Sequence, residues 1–289
     1  MDIKDLAGFS EPTKTLIERC SDALGALAHP YQIVRVAKAE SKAELIKAQG
    51  QIEIDKVKAQ GVIEVLEVEE RALARLVHEE GKKQQNIEGI VAKALPEVED
   101  NARPESIEED WLSNFFDKCR LVSDDEMQFL WGKVLAGEAN APGTYSKRTV
   151  NFLQSLSKDE ANKFQLLCRF SIASDGSLPA IYDIKDEIYK QSGLSFSDLQ
   201  NLQSFGLMVY SPIGGYTLQD IGREFLVDYF STKLSVRMPE ASPVDLDIGH
   251  ALLTDLGKQL ARLCALTPIE GFANYLVEKW SGLKYEITT

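Results

Sequence analysis

Between Pro30 and Pro96 the chain has no proline, and its apolar residues return at helical spacing. Leu45, Ile52, Ala59, Leu66 and Leu73 share one heptad position. Ala48, Val62 and Leu76 share the other, a row that Asp55 and Glu69 interrupt. Lys47-Ala48-Gln49-Gly50-Gln51-Ile52-Glu53 recurs as Lys58-Ala59-Gln60-Gly61-Val62-Ile63-Glu64. That shift is an eleven-residue period, about three helical turns, which brings matching residues back to one face. The pattern predicts helix through most of residues 31–95. Roughly 65 residues at about 1.5 Å each would reach about 100 Å. No core of one such chain hides that stripe, so it folds back on itself or packs on a partner. The narrow, small-residue seam suits a weak coiled coil or an antiparallel hairpin. Gly81, followed by Lys82-Lys83, is the first choice for a break, since glycine costs a helix interior about 1 kcal/mol relative to alanine.

On either side the period changes. Leu16, Ile17, Cys20, Ala23, Leu24 and Leu27 mark one face of a short amphipathic helix after Pro12. Its polar face lacks the cationic excess of a membrane-surface anchor, so packing on the long helix is expected. The acidic, proline-bounded stretch Pro96–Pro104 reads as a linker. Beyond it, Ser106-x-x-Glu109, Ser123-x-x-Glu126, Ser157-x-x-Glu160, Ser197-x-x-Gln200 and Thr267-Pro-x-Glu270 fit the capping box, in which hydroxyl and acid or amide satisfy first-turn N–H groups. With the apolar periodicity they place helices near 107–120, 124–137, 146–155, 158–173 and 268–281. Glu108-Glu109-Asp110 and Asp124-Asp125-Glu126 then open helices, where negative charge is favoured.

Residues 158–230 follow another order. After the helix from 158, two more are expected near 181–192 and 195–205, the latter ending at Gly206. Leu207–Tyr210 and Gly215–Leu218 flank Ser211-Pro212-Ile213-Gly214, a hairpin signal. Three helices and a hairpin are the order of a winged helix. A further helix is expected from Asp220 through Leu226 and Tyr229. Leu218–Phe225 also resembles Leu253–Leu260 in pattern, which predicts two strand-to-helix corners of similar build.

Charge narrows the functional classes. The chain carries 32 basic and 45 acidic side chains, a net −13. Most of the excess lies in residues 96–160, and 31–95 are balanced. Such a chain repels nucleic acid unless basic residues gather on one face, and the longest basic runs are the pairs Lys82-Lys83 and Lys147-Arg148. The third helix of the winged-helix order, which would read a major groove, offers Ser195, Ser197, Asp198, Gln200, Asn201, Gln203 and Ser204 without Lys or Arg. The four cysteines are isolated and read as reduced core residues of a cytoplasmic protein. No apolar run approaches the ~20 residues of a membrane span, and no signal sequence is expected. His29, His78 and His250 are scattered, and neither a phosphate-binding glycine loop nor Gly-x-Ser-x-Gly occurs. No catalytic residue, metal ligand or cofactor is expected.

The central block carries a resemblance. Asp110-Trp111-Leu112, Phe115-Phe116, Ser123–Gln128, Leu130-Trp131, Leu135-Ala136-Gly137-Glu138, Pro142–Ser146, Arg148-Thr149 and Leu156–Ala161 stand in order. This array is similar to a bacterial domain-of-unknown-function family, and the match extends over most of the chain. The family implies no catalytic residues. Its members resemble proteins of phage-defence or abortive-infection surroundings. By composition alone the long helix resembles the assembly helices of stomatin-like proteins. The aromatic residues of the block also form apolar faces of two adjacent helices, as a core requires. Trp131 with Arg148 is the candidate for a binding pocket.

The expected architecture is mainly α. A leader helix and long arm occupy 1–95, a helical domain 96–156, and a winged-helix-like domain with a small β-hairpin 157–289. The expected function is non-enzymatic assembly, with a homo-oligomer formed through Ile52, Val62, Leu66, Leu73 and Leu76. A DNA-binding regulator and an effector enzyme with an unrecognised site are the alternatives.

Overall fold

The computed structural model describes residues 9–24, 68–173, 176–219, 222–239, 245–282 and 285–288. The chain is mainly helical and divides into two compact units, Met1–Gln154 and Ser155–Thr289; among the described residues its strands lie in the C-terminal part.

The first unit begins with α1 (Glu11–Leu24), which buries Leu16, Ile17 and Cys20 as its periodicity predicts. Arg19 Nη2 donates to the Ile107 carbonyl at 2.6 Å and fixes α1 against the segment that precedes α3. α2 (Val68–Ala94) is one uninterrupted helix. Gly81 does not break it: helical hydrogen bonds run past it, and a Cβ built there meets no atom within 4 Å. Gly81→Ala is therefore expected to raise the denaturant midpoint, by about 0.5–1 kcal/mol of stability. A lower midpoint would contradict the geometry.

α3 (Glu109–Cys119) and α4 (Asp125–Asn140) form the aromatic core foreseen from the sequence. Trp111 stacks on Phe115 at 5.2 Å, and Phe115 meets Trp131 edge-on at 5.3 Å. α5 (Lys147–Ser155) buries Thr149, Val150 and Leu153. The turn between α4 and α5 is tied down from three sides. Trp111 Nε1 donates to the Tyr145 carbonyl at 2.6 Å. Glu138 accepts from the Gly143 and Tyr145 amides at 2.6 and 2.8 Å. A Cβ on Gly137 would lie 2.7 Å from the Tyr145 ring, so only glycine lets that ring seat.

The second unit opens with α6 (Lys158–Cys168), α7 (Glu187–Gln191) and α8 (Phe196–Ser204). Among the described residues seven short strands follow or are interleaved: β1 (Met208–Tyr210), β2 (Tyr216–Gln219), β3 (Glu224–Tyr229), β4 (Thr232–Arg237), β5 (Asp245–Gly249), β6 (Ala251–Leu253) and, at the end, β7 (Glu286–Thr288). β1 pairs with β6 and β2 with β5, both antiparallel, and the third sheet has the order β3-β4-β7. α9 (Asp255–Ala261) and α10 (Phe272–Gly282) complete the unit. Phe170, Tyr189, Phe272 and Trp280 are fully buried at its centre, where Trp280 Nε1 donates to Tyr182 Oη and Tyr182 Oη donates to the Asp247 carbonyl.

Several expectations change here. The helix predicted from Asp220 is strand β3. Gly222 has φ +78°, a left-handed conformation that a helix cannot continue through, while Asp220 and Ile221 lie outside the described residues. The two similar corners thus diverge. Thr254 caps α9, its Oγ1 accepting from the Gly257 amide at 3.1 Å, whereas the matching position holds Gln219, without a hydroxyl. The two strands around Ser211–Gly214 do not pair with each other; each pairs with the later segment 245–253. Helix near 181–192 shrinks to α7, because Ile181 bridges to Gly249 instead. Of the five proposed capping boxes only Ser157–Glu160 forms as read. Asp124 caps α4 in place of Ser123, and Ser195 with Asp198 caps α8 in place of Ser197 with Gln200. Glu108 precedes α3 without a side-chain cap, and α10 starts beyond Thr267–Glu270.

Candidate interaction surface

α2 changes character midway. Its C-terminal half is built into the first unit through Ile87, Ile90, Val91 and Ala94, each at most 6% exposed. There α2 crosses α4 at close range. A Cβ on Gly132 would stand 3.1 Å from the Ala94 amide, and one on Gly89 2.8 Å from Gln128 Oε1. Polar contacts flank the crossing: Asn86 Nδ2 donates to the Arg120 carbonyl at 2.9 Å, Gln128 Nε2 to the Val122 carbonyl at 2.9 Å, and Lys93 pairs with Asp125 at 2.9 Å.

Towards its N-terminus the apolar side chains of the helix become exposed. Leu73, Leu76 and Val77 are 62%, 53% and 66% exposed. They are not on a different side of the helix from the buried residues. Leu73 and Ile87 are two heptads apart, as are Leu76 and Ile90, so they share a face within the ~20° per heptad that a straight helix drifts. One stripe is therefore buried against α4 at one end and uncovered at the other. Between the halves Glu80 and Lys83 sit on the same stripe and pair at 2.6 Å. The hydrogen bond from Lys83 is the main influence holding the Glu80 carboxyl below its ordinary range.

Of the residues chosen from the sequence for self-association, Leu73 and Leu76 are exposed neighbours on this surface. Ile52, Val62 and Leu66 lie outside the described residues. Val77 was not singled out, although its spacing of one residue from Leu76 and four from Leu73 could have found it. Trp131 and Arg148 do not share a cleft wall: Trp131 is fully buried with its Nε1 unbonded, and Arg148 is exposed on α5.

The carboxylate with the most unusual setting in the first unit is Glu138, which is 3% exposed. Burial raises its pKa above the usual range, against the lowering effect of the Gly143 and Tyr145 amides, and Glu108 adds to the rise. Both oxygens are occupied by backbone amides, so the group acts as a clamp on the turn. Because its folded pKa lies above the unfolded one, the unfolded chain ionises first, and stability falls as pH rises between the two. Glu138→Gln should flatten that fall in denaturant titrations across the acidic range. It should also cost about 1–3 kcal/mol, because an amide presents one acceptor to two N–H groups. A slope identical to that of the parent chain would refute this.

Among the described residues, no three His, Cys, Asp or Glu side chains are grouped so as to hold a metal ion, and no helix is long and apolar enough to cross a membrane. Cys20, Cys119 and Cys168 are buried, and Cys264 is half-buried. No curated protein and no solved structure matches the chain. Residues 70–277 match the family described as "Protein of unknown function (DUF2806)", a span that begins in the N-terminal half of α2 and ends within α10. The chain belongs to that family.

Proposed function

We propose that this protein is a non-enzymatic assembly protein that joins copies of itself along the face of α2 and the residues preceding it. The observation that carries this reading is the uncovered stripe of Leu73, Leu76 and Val77, in line with a buried one on the same helix face beyond the Glu80–Lys83 pair. Water-exposed leucines at helical spacing favour a helical partner, and burying each contributes roughly 1.5–3 kcal/mol. The heptad rows of the sequence carry the same stripe back through Leu66, Val62 and Ile52, so a second copy offers a matching surface along its length. The second unit then acts as a contact module. Its order of three helices supports a winged-helix-like reading, although β1 and β2 pair with residues 245–253 and not with each other, and the side chains of α8 include no Lys or Arg for phosphate. Sedimentation of the full chain at micromolar concentration tests the assembly. A mass above the 32.2 kDa of one chain is expected. A monomer at every concentration rejects the proposal.

A further inference from the structure

We propose that the open edge of β3 is a docking site for an extended peptide that carries apolar residues and a basic one. β3 is an outer strand of its sheet. The Met238 amide donates to the Arg223 carbonyl at 2.8 Å, one step beyond a register running from Glu224↔Arg237 to Tyr229↔Thr232. Hydrogen-bonded pairs alternate along an antiparallel ladder. Phe225, Val227 and Tyr229 therefore bond to β4, while Glu224, Leu226 and Asp228 turn their N–H and C=O groups to the free edge. Among the described residues those outward groups have no hydrogen-bond partner.

A groove of about 590 Å³ runs along this edge. Its wall includes four consecutive residues, Phe225 to Asp228. Side chains of a strand alternate between faces, so a groove lying on one face would meet every second residue. Meeting four in a row places it along the edge. Opposite stand Leu178, Leu218 and Leu246, the last two directly paired across β2 and β5. An added strand would find main-chain partners on one side and an apolar wall on the other, the requirements of β-augmentation.

Charge selects the occupant. A second copy using the same edge, centred on Leu226, would set Glu224 opposite Asp228 twice, and like charges directly opposite destabilise a sheet. Glu224 is already paired with Arg237 at 2.8 Å. Asp228 has no ion pair among the described residues. The fitting partner is a strand of another protein with Lys or Arg opposite Asp228 and an apolar residue opposite Leu226. Its intervening side chains are apolar and reach the groove.

The test titrates the full chain into a fluorescein-labelled peptide, Gly-Lys-Val-Leu-Val-Lys-Gly, and follows polarisation, with Gly-Glu-Val-Leu-Val-Glu-Gly as the comparison. The lysine peptide should saturate and bind at least tenfold more tightly than the glutamate one. Leu226→Pro removes an outward N–H that the strand's own ladder does not use, a place where an edge strand tolerates proline. It should abolish saturable binding with the circular dichroism unchanged. Asp228→Lys should reverse the preference between the peptides, and it decides alone if the proline variant does not fold. No saturation below about 1 mM, a ~4 kcal/mol interaction, overturns the proposal. So does equal binding of the two peptides, full binding by a folded Leu226→Pro chain, or an unreversed preference in Asp228→Lys.

Discussion

Leu73→Asp combined with Leu76→Asp is expected to convert the assembled protein to a monomer of 32.2 kDa without unfolding it. At a two-fold contact the pair appears twice, so four leucines leave the interface. At ~1.5 kcal/mol each, the lower bound for such a side chain, the loss is about 6 kcal/mol, or roughly 10⁴ in dissociation constant. Burying the new carboxylates beside each other adds to that cost. Within one chain the same substitutions should be cheap, because Leu73 and Leu76 are 62% and 53% exposed and touch little of the first unit. The outcome therefore separates two ways of covering the stripe. If a second copy covers it, the mass falls and the thermal midpoint at low protein concentration stays. If residues 25–67 of the same chain cover it, the parent is already a monomer and the variant loses stability at constant mass. Sedimentation and calorimetry on both proteins give the answer, and the second result removes the assembly reading.

The parts of the fold that were legible in the sequence are those set by local spacing. The apolar faces of α1, α3 and α4 come from residues three and four apart, and the aromatic block around Trp111 and Trp131 packs as its periodicity requires. What depends on distant residues was not legible. β1 and β2 read as a hairpin because they are close in sequence, yet the pairing is decided by residues 245–253, beyond the β3–β4 hairpin. Gly89 and Gly132 carry no local sign of their packing, yet in the structure a Cβ on either would crowd the other helix where α2 and α4 cross. At α4 and α8 the capping boxes misled by one and two residues, since Ser123-Asp124 and Ser195–Ser197 each offer more than one capping side chain and tertiary packing selects among them. For the candidate surface, spacing supplied the stripe on α2. Its division into a buried and an exposed half follows from where α4 ends its contact, which no local pattern records.

Gly249→Ala is expected to destabilise the second unit by roughly 3–5 kcal/mol. Gly249 closes β5 with φ +86°, a backbone region that alanine enters only with strain. Its neighbour is main chain: an added Cβ would lie 2.2 Å from the Ile181 carbonyl oxygen and 2.6 Å from the carbonyl carbon. That oxygen cannot retreat freely, because the His250 amide donates to it at 2.6 Å and the Ile181–Gly249 bridge ties the segment before α7 to the β2–β5 ribbon. Relieving the clash therefore breaks a long-range tie together with its hydrogen bond. Gly214 is the comparison, in the exposed loop between β1 and β2. A Cβ there would meet only Ser211 Oγ at 3.4 Å, and its φ is not positive, so Gly214→Ala should shift stability by no more than about 0.5 kcal/mol. Denaturant titrations of the full chain, followed by circular dichroism, measure both. Equal midpoints for the two variants would show that the 181–249 tie does not hold this unit together.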